Sequence, residues 1–421
     1  MAPPDGGRAR TRSMKNTDRS SRRARMLATT LGIVAVSGLL LTACSSAAPA
    51  GGPAGAGSAS ASAAATTPAI TRPAAPAGDL PAALQTDLQA ALAGVMAEYN
   101  VPGAAAGVWI PGQGSWTTAA GLADVAGNVP VTTDMVWPIR SLTKSYTVSL
   151  ILMLADEGKL SLDDTLDRYV DGVTDGDRIT LLQLANMSSG NAEYFTQPFA
   201  EAFEADPARI FTLDDLNGFA LGQPAQFEPG TQYVYTNSNI NFLGAVIEKV
   251  TGEPYAEVLQ KRILDPLGQT GTTYMVDASK WAAPHPVGYQ PENGVMQGQT
   301  ENSSVLGPAG SMFSTLDDGR VWADTLGSGA LLQPATQTLR QVGHEIAKPP
   351  YDLYAVGMGT TDGWWGHNGE GVGFTAATFH DNKTGASIVV YMNESDTADK
   401  SHPADQAFRA LAAVLAKEGG K

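Results

Sequence analysis

The sequence predicts an α/β fold of the α+β type, in which strands near both ends of a domain flank a helical middle. Short runs with strand character are separated by turn residues such as Pro-Gly-Gln-Gly, and these runs are 104–110, 115–120, 354–359, 371–379 and 386–392. The last three follow one another closely enough to form consecutive antiparallel strands. We therefore predict a sheet part from about 80–140 and 350–421, with a mostly helical part at about 160–345.

Three helices can be predicted individually. Residues 80–99 place apolar side chains four positions apart, as in an amphipathic helix. Residues 141–157 are apolar almost all round and stop at Gly158, so this helix belongs inside the fold. Residues 404–417 form a closing helix.

The composition excludes several classes of protein. The 421 residues include 27 Lys and Arg against 42 Asp and Glu, a formal net charge of −15. A chain this acidic lacks the basic surface that nucleic-acid binding requires, so we expect no nucleic-acid partner. Its single cysteine forms neither an internal disulfide nor a Cys-rich metal site. With 43% hydrophobic and 16% charged residues, the chain has the composition of a folded protein.

The first 43 residues form a predicted export signal. Residues 1–26 carry eight basic and two acidic side chains, and an uncharged apolar run covers 27–43. The run falls short of the roughly 20 residues that span a bilayer, and it ends in Leu-Thr-Ala-Cys, which resembles the bacterial lipobox. We predict that Cys44 is lipidated and anchors the protein to the outer face of the bacterial cytoplasmic membrane. A plain signal peptide or an uncleaved anchor helix is the alternative.

A tether follows the cysteine. From residue 45 to 77 every residue except Ile70 and Arg72 is Ala, Gly, Pro, Ser or Thr. Such a composition cannot bury a core, so we predict that 44–77 is a disordered linker and that the domain begins at residue 78.

One tetrapeptide suggests nucleophilic catalysis. Ser141-Leu-Thr-Lys144 is the only Ser-x-x-Lys in the chain, and on a helix its two polar side chains share a face. The helix dipole favours an alkoxide at the first turn, and a lysine with little water around it shifts towards the neutral amine. A helix N-cap followed by a surface lysine is the alternative, but the apolar helix around the motif argues against it.

Two later patterns complete a set. In Tyr235-Thr-Asn237, a phenol and an amide can point into one cleft if the segment is an extended loop. In His367-Asn-Gly369, an imidazole precedes a glycine that lets the backbone approach a ligand, as at the lip of a cleft. The remaining histidines are predicted to be ordinary surface or packing residues, and they are His285, His344, His380 and His402.

In this order and at these separations, the three patterns resemble the serine beta-lactamase and penicillin-binding protein superfamily. The branch indicated is that of class C beta-lactamases, D-alanyl-D-alanine carboxypeptidases and related esterases, over about residues 84–415. Further stretches that support it are 157–164, 181–190, 235–244, 264–268, 310–315 and 366–375. The resemblance implies a beta-lactamase/transpeptidase-like fold, with an antiparallel sheet flanked by helices and an inserted, mostly helical subdomain.

The resemblance also implies catalytic roles. Ser141 is the nucleophile that forms an acyl-enzyme, and Lys144 holds and deprotonates it. Tyr235 passes the proton to the leaving group. His367 stands where class C beta-lactamases carry the Lys of a Lys-Thr-Gly. A histidine at this position looks more like the carboxypeptidase and esterase members.

Substrate binding is implied for four residues. Asn237 binds the substrate amide, and the backbone N–H of Glu370 completes the oxyanion hole with that of the nucleophile. Gly369 precedes it, and Asn368 stands where Thr is common, which weakens recognition of a carboxylate. The Glu370 carboxylate would also repel an anionic peptide terminus, against a strict D-alanyl-D-alanine specificity.

Two other stretches near the C-terminal end contain residue types that a catalytic cleft could use. Residues 383–385 are a true Lys-Thr-Gly, but they read as a hairpin turn and lie too late in the sheet. Trp364 and Trp365 line the acyl pocket or belong to the core of a neighbouring strand, and the sequence does not choose.

We therefore predict a monomeric, lipid-anchored serine hydrolase that needs no metal or cofactor. The expected activity is that of a D-alanyl-D-alanine carboxypeptidase on cell-wall peptides, with beta-lactamase or esterase activity as variants. A penicillin-binding or sensor protein without turnover is the alternative from another class. Small peptides, beta-lactams or esters are the expected ligands.

Overall fold

The computed structural model describes residues 70–292, 295–346, 350–395, 397 and 401–419. The predicted signal segment, Cys44 and residues 45–69 of the predicted linker lie outside this part. Within it, no helix has the length and apolar character needed to cross a bilayer.

The described residues form eleven α-helices and fourteen strands. The helices, α1 to α11 in chain order, are Ala82–Tyr99, Thr143–Asp156, Leu181–Ala185, Gln197–Ala205, Leu213–Ala220, Asn237–Thr251, Tyr255–Leu259, Asp265–Leu267, Leu316–Ser328, Pro334–Arg340 and Pro403–Gly419. The strands, β1 to β14, are Gly103–Ile110, Gly114–Asp124, Val129–Pro130, Trp137–Pro138, Thr273–Tyr274, Gly288–Glu292, Val295–Gln299, Met312–Ser314, His344–Glu345, Leu353–Tyr354, Gly359–Thr361, Trp364–Gly371, Phe374–His380 and Ser387–Met392.

Nine of these strands form one antiparallel sheet, in the order β3-β2-β1-β14-β13-β12-β11-β10-β9. Strand β1 pairs with β14 from Ala104↔Met392 to Trp109↔Ser387, so the two ends of the domain meet in the middle of the sheet. This confirms the predicted fold class, in which distant stretches share one sheet. The helical region between them also contains the short sheet β4-β8-β5 and the hairpin β6-β7.

Helices cover both faces of the large sheet. The ring of Phe379 on β13 stacks on Phe408 of α11 with 4.2 Å between centroids. Its neighbour His380 points to the opposite face, where Gly327 of α9 leaves room for the imidazole. The strands β13 and β14 are buried along their whole length, as expected for a sheet covered on both sides.

The C-terminal strands differ from the prediction in their boundaries. The predicted strand 354–359 is wrong, because its middle is a turn between β10 and β11 with Gly357 at φ +71°. The strand predicted at 371–379 begins at Phe374, and β12 was not predicted as a strand. Its sequence, Trp-Trp-Gly-His-Asn-Gly-Glu-Gly, has low intrinsic β propensity, and pairing with β13 holds it extended.

The predicted buried helix is confirmed. Ser141 lies in a short 3-10 turn, Arg140–Leu142, and α2 continues to Asp156 with every residue buried from Thr143 to Leu154. Gly158, at φ +70°, follows the end of the helix. A lysine one turn into this helix is therefore removed from water.

The last part of the predicted linker is not disordered. Arg72 donates hydrogen bonds to the Gly268 carbonyl at 2.5 Å and to Asp318 at 3.0 Å, and it pairs with Asp317. Ile70 packs against the hydrophobic core. These are the two residues of 45–77 that do not have linker character, and they hold the end of the segment on the domain.

Candidate active site

Ser141, the predicted nucleophile, lies in a turn against the end of strand β12. Arg140 adopts φ +52°, which turns the chain from β4 into the 3-10 turn that carries Ser141. A Cβ on Gly369 would lie 2.3 Å from the Ile139 carbonyl oxygen and 3.1 Å from the Ser141 nitrogen. Only glycine permits this approach of two backbones.

Lys144 is bound so that its neutral form can accept the serine proton. Its Nζ lies 3.0 Å from Ser141 Oγ, 2.7 Å from Asn237 Oδ1 and 2.8 Å from the Ala309 carbonyl oxygen. Burial lowers the pKa of Lys144 from 10.5 to about 7. A neutral amine has two N–H donors, which the two carbonyl oxygens accept, and its lone pair is then left facing the serine hydroxyl.

Tyr235 is in contact with both Ser141 and Lys144. Its ring centroid is 4.9 Å from Lys144 Nζ, and burial raises the pKa of its hydroxyl well above 10, although a hydrogen bond with Ser141 opposes the shift. The tyrosine is therefore a neutral phenol that can give a proton. The lysine is the better candidate for the base.

Asn237 is the first residue of helix α6, so the predicted extended loop is wrong at this position. The carboxylate of Glu193 accepts hydrogen bonds from the Asn237 backbone nitrogen at 2.7 Å and from its amide nitrogen at 3.1 Å. This contact caps the helix and turns the amide oxygen towards the lysine. Glu193 was not predicted from the sequence, since nothing in its spacing indicates the contact.

His367 does not lie at the lip of the cleft as predicted. The residue is fully buried, with Nδ1 3.0 Å from the Tyr351 hydroxyl and Nε2 3.2 Å from the Tyr354 hydroxyl. Burial lowers its pKa to about 3, so the imidazole is neutral. Its ring centroid is 6.4 Å from that of Tyr235, which makes it a support behind the phenol.

A hydrogen-bond network connects this region to the rim of the cleft. The Tyr351 hydroxyl donates to Asn368 Oδ1 at 2.6 Å, and the Asn368 amide donates to His402 Nδ1 at 3.3 Å. His402 Nε2 lies 2.9 Å from the Glu370 carboxylate. Burial alone would lower the pKa of His402, but the hydrogen bond and charge of Glu370, together with the charge of Asp405, outweigh burial and the pKa is raised. His402 was predicted as an ordinary histidine, and the structure places it in the site.

The geometry of β12 supports the predicted oxyanion hole. The Asn368 backbone N–H donates to the Tyr351 hydroxyl at 2.9 Å, on the strand edge that faces away from β13. Backbone N–H groups alternate in direction along a strand, so the N–H of Glu370 points from the same edge. Glu370 and Ser141 both line the cavity, and their N–H groups can converge on one oxygen.

Ser141, Tyr235 and Glu370 line a cavity of about 1090 Å³. One wall is aromatic and can hold an apolar side chain, and it contains Phe195, Phe199, Phe203 and Tyr233.

The described lining includes neither Trp364 nor Trp365, and Trp364 packs against Phe408 in the core. Residues 383–385 form the turn between β13 and β14, as predicted.

Two basic side chains in the cavity lining are each bound by a carboxylate. Arg140 donates to both carboxylate oxygens of Glu301, at 2.9 and 2.7 Å, and His402 is bound by Glu370. Glu292 adds a third acid to the lining. Among the residues that the structure describes, no group of three or more His, Cys, Asp or Glu side chains could hold a metal ion.

A sequence model of the family described as Beta-lactamase matches residues 88–413. The D-aminopeptidase of Cereibacter sphaeroides is 28% identical over 347 residues, which cover 77% of this chain and 62% of that protein. The D-aminopeptidase of Brucella anthropi is 30% identical over 193 residues, covering 46% of this chain and 36% of that protein. The chain thus spans 36% and 62% of the length of these two relatives.

Solved structures match over most of the described chain. A D-stereospecific amidohydrolase from Streptomyces sp. has a TM-score of 0.67 at 28% identity, covering 78% of this chain and 98% of that one. The D-amino acid amidase from Ochrobactrum anthropi SV3 has a TM-score of 0.71 at 22% identity, covering 80% and 99%. The latter likeness is one of fold.

Proposed function

The chain belongs to the beta-lactamase family, whose members of this kind are serine hydrolases, and we propose that it hydrolyses small D-aminoacyl amides and peptides through an acyl-enzyme on Ser141. The names of its relatives, D-aminopeptidase and D-stereospecific amidohydrolase, support the substrate class. A carboxypeptidase, the activity predicted from the sequence, cleaves substrates that end in a free carboxylate. The enzyme proposed here instead acts on substrates that have a free amino terminus or a neutral amide end.

One observation carries this choice, namely that the two basic side chains in the described cavity lining, Arg140 and His402, are each bound by a glutamate carboxylate. Arg140 is held by Glu301 and His402 by Glu370, while Glu292 adds further negative charge. A carboxypeptidase has to bind a substrate carboxylate, which pairs best with an available cation. An acidic cleft instead favours an ammonium group and disfavours an anionic terminus.

The reaction begins when the neutral amine of Lys144 takes the proton of Ser141. The oxygen then attacks the amide carbon, and the backbone N–H groups of Ser141 and Glu370 stabilise the oxyanion. Tyr235 gives its proton to the leaving nitrogen and regains one through the lysine. Water then attacks the acyl-enzyme, with the same groups making the proton transfers in the reverse order, and the D-amino acid leaves from Ser141.

The test uses the full chain with a matched set of substrates. A D-alanine p-nitroanilide, its L-enantiomer, its N-acetyl derivative, acetyl-D-alanyl-D-alanine and nitrocefin are compared by kcat/KM. We expect the free D-aminoacyl anilide to be turned over at least ~10-fold faster than the L-enantiomer and the N-acetyl derivative. Ser141→Ala should abolish turnover.

The same assay separates the alternatives. Preferred turnover of acetyl-D-alanyl-D-alanine would restore the carboxypeptidase. Labelling of Ser141 by a fluorescent penicillin without turnover of any substrate would favour the penicillin-binding protein. Against the second outcome stands the complete set of contacts around the lysine.

We also propose that the enzyme acts outside the cytoplasmic membrane, held by a lipid on Cys44. The support is the basic and apolar leader that ends at the only cysteine of the chain. An exported enzyme would reach D-amino-acid peptides of the cell wall. Metabolic labelling with a palmitate analogue should disappear in Cys44→Ala, and label retained in that variant would contradict the anchor.

A further inference from the structure

Arg140 and Glu301 form an ion pair inside the substrate cavity. The guanidinium is 2% exposed and the carboxylate 11%, and both oxygens of the carboxylate are held in the planar, two-bond arrangement typical of Arg binding a carboxylate. Building on the proposed function, we propose that Glu301 takes the place of a substrate carboxylate on Arg140 and thereby excludes substrates that are anionic near the cleaved bond.

The position of the guanidinium makes it relevant to the substrate. Arg140 directly precedes the nucleophile, and its φ of +52° belongs to the turn that presents Ser141. A Cβ on Gly371 would meet the arginine Cδ and Nε at 2.9 Å, so the side chain runs beneath the end of β12. That end carries the Glu370 N–H. An acyl group held between the two N–H groups therefore lies beside the arginine.

The arginine is also fixed independently of Glu301. Its Nη2 donates to the Val372 carbonyl at 2.8 Å, and the guanidinium lies 5.3 Å from the ring centroid of Phe374. These contacts come from the hairpin formed by β12 and β13, in its turn and in β13. Glu301 comes from a different part of the chain, the segment that follows the β6-β7 hairpin and also lines the cavity. Loss of the carboxylate would leave a preformed cation facing the cavity.

The variant that tests this is Glu301→Gln, which keeps the side-chain volume but accepts through one oxygen only. Ligand affinity is measured in full-length Ser141→Ala protein, so that no turnover is needed. The ligands are acetyl-D-alanyl-D-alanine and its C-terminal amide, which differ only in the carboxylate. We expect E301Q to raise the affinity for the acid by about 10-fold and to change that for the amide by less than about twofold.

The matched control is Glu292→Gln. Like E301Q, it removes one negative charge from the residues that line the cavity, but it leaves the Arg140–Glu301 ion pair in place. We expect its acid-to-amide affinity ratio to rise clearly less than that of E301Q, since the described hydrogen bonds of the Arg140 guanidinium go to Glu301 and Val372 and the loss of the Glu292 charge acts on the ligand only through screened electrostatics. The double variant Arg140→Gln with Glu301→Gln should lose the gain shown by E301Q.

Several outcomes overturn the proposal. They are an unchanged acid-to-amide ratio in E301Q, an equal rise in E292Q, or a gain that persists in the double variant. Thermal unfolding checks that each protein folds, and Glu301→Ser, which also vacates the carboxylate position, replaces E301Q if that variant unfolds. Failure of wild-type turnover on D-aminoacyl amides would refute the proposed function and leave this binding result interpretable.

Discussion

The protonation of Lys144 determines the pH at which Ser141 can be activated, and Glu193 is the acid that biases it. Burial lowers the pKa of Lys144 to about 7, while the Glu193 carboxylate acts in the opposite direction. An amine of ordinary pKa is neutral in only ~3 of 10⁴ molecules at pH 7, whereas at a pKa of about 7 roughly half are neutral. Burial therefore raises the fraction of competent base by roughly 10³-fold.

The informative change is Glu193→Gln, because the amide oxygen can still accept from the Asn237 backbone nitrogen and cap α6. Two hydrogen bonds of 2.7 and 3.1 Å connect Lys144 Nζ to the carboxylate through the Asn237 side chain. The charges are then roughly 7 Å apart, and at an effective dielectric constant of ~20 their attraction is ~2 kcal/mol, or roughly 1.5 pKa units. Without the acid the ammonium form is less stable, so the pKa falls.

The assay is the rate of Ser141 modification by a fluorophosphonate as a function of pH, which requires no knowledge of the substrate. In the wild type the rate should rise with a midpoint at about pH 7, the pKa of Lys144. In E193Q the midpoint should lie roughly 1 to 1.5 units lower. Glu292→Gln, at the cavity wall, is the control and should shift it by less than ~0.5 unit. A midpoint that stays in place or rises in E193Q would refute this assignment of the base.

Three further changes test the rest of the site. Gly369→Ala introduces a Cβ 2.3 Å from the Ile139 carbonyl oxygen and should lower kcat by ~10²-fold or more, whereas Gly94→Ala, in open space on α1, should raise the melting temperature by about 1 °C. Tyr235→Phe should lower kcat ~10²-fold or more on an amide and much less on a nitrophenyl ester, whose leaving group needs no proton, and equal losses on both would contradict its role as acid. His367→Gln should leave the acidic limb of the pH profile in place, because the pKa of about 3 keeps His367 neutral there, and a displaced limb would show that the imidazole titrates.

The three motifs proposed to be catalytic could be recognised from the sequence because each contains its polar side chains within a few residues. Ser141 and Lys144 are one helical turn apart, and their geometry follows from the helix. The chemical state of the lysine was also predictable, because the apolar residues that bury it are its neighbours in the chain. The structure adds the third partner of the amine, Ala309, which is 165 residues away.

The contacts made by single polar residues could not be predicted. Glu193, His402 and Tyr351 have no distinguishing spacing, and each acts on a residue from another element. His367 shows the same limit in reverse, because its motif was visible but its burial was not. Side chains alternate in direction along β12, and only the packing of that strand places the imidazole behind Tyr235 instead of at the lip.

By itself, the sequence determined the mixed fold with its antiparallel sheet, the buried helix α2 and the family of serine hydrolases, because local periodicity and short motifs encode them. Only the tertiary structure decided the charge of the cavity. Arg140 and Glu301 are 161 residues apart, and their pairing depends on how the segment after the β6-β7 hairpin packs over the nucleophile turn. Electrostatic complementarity is a property of distances between charges, and the fold sets those distances.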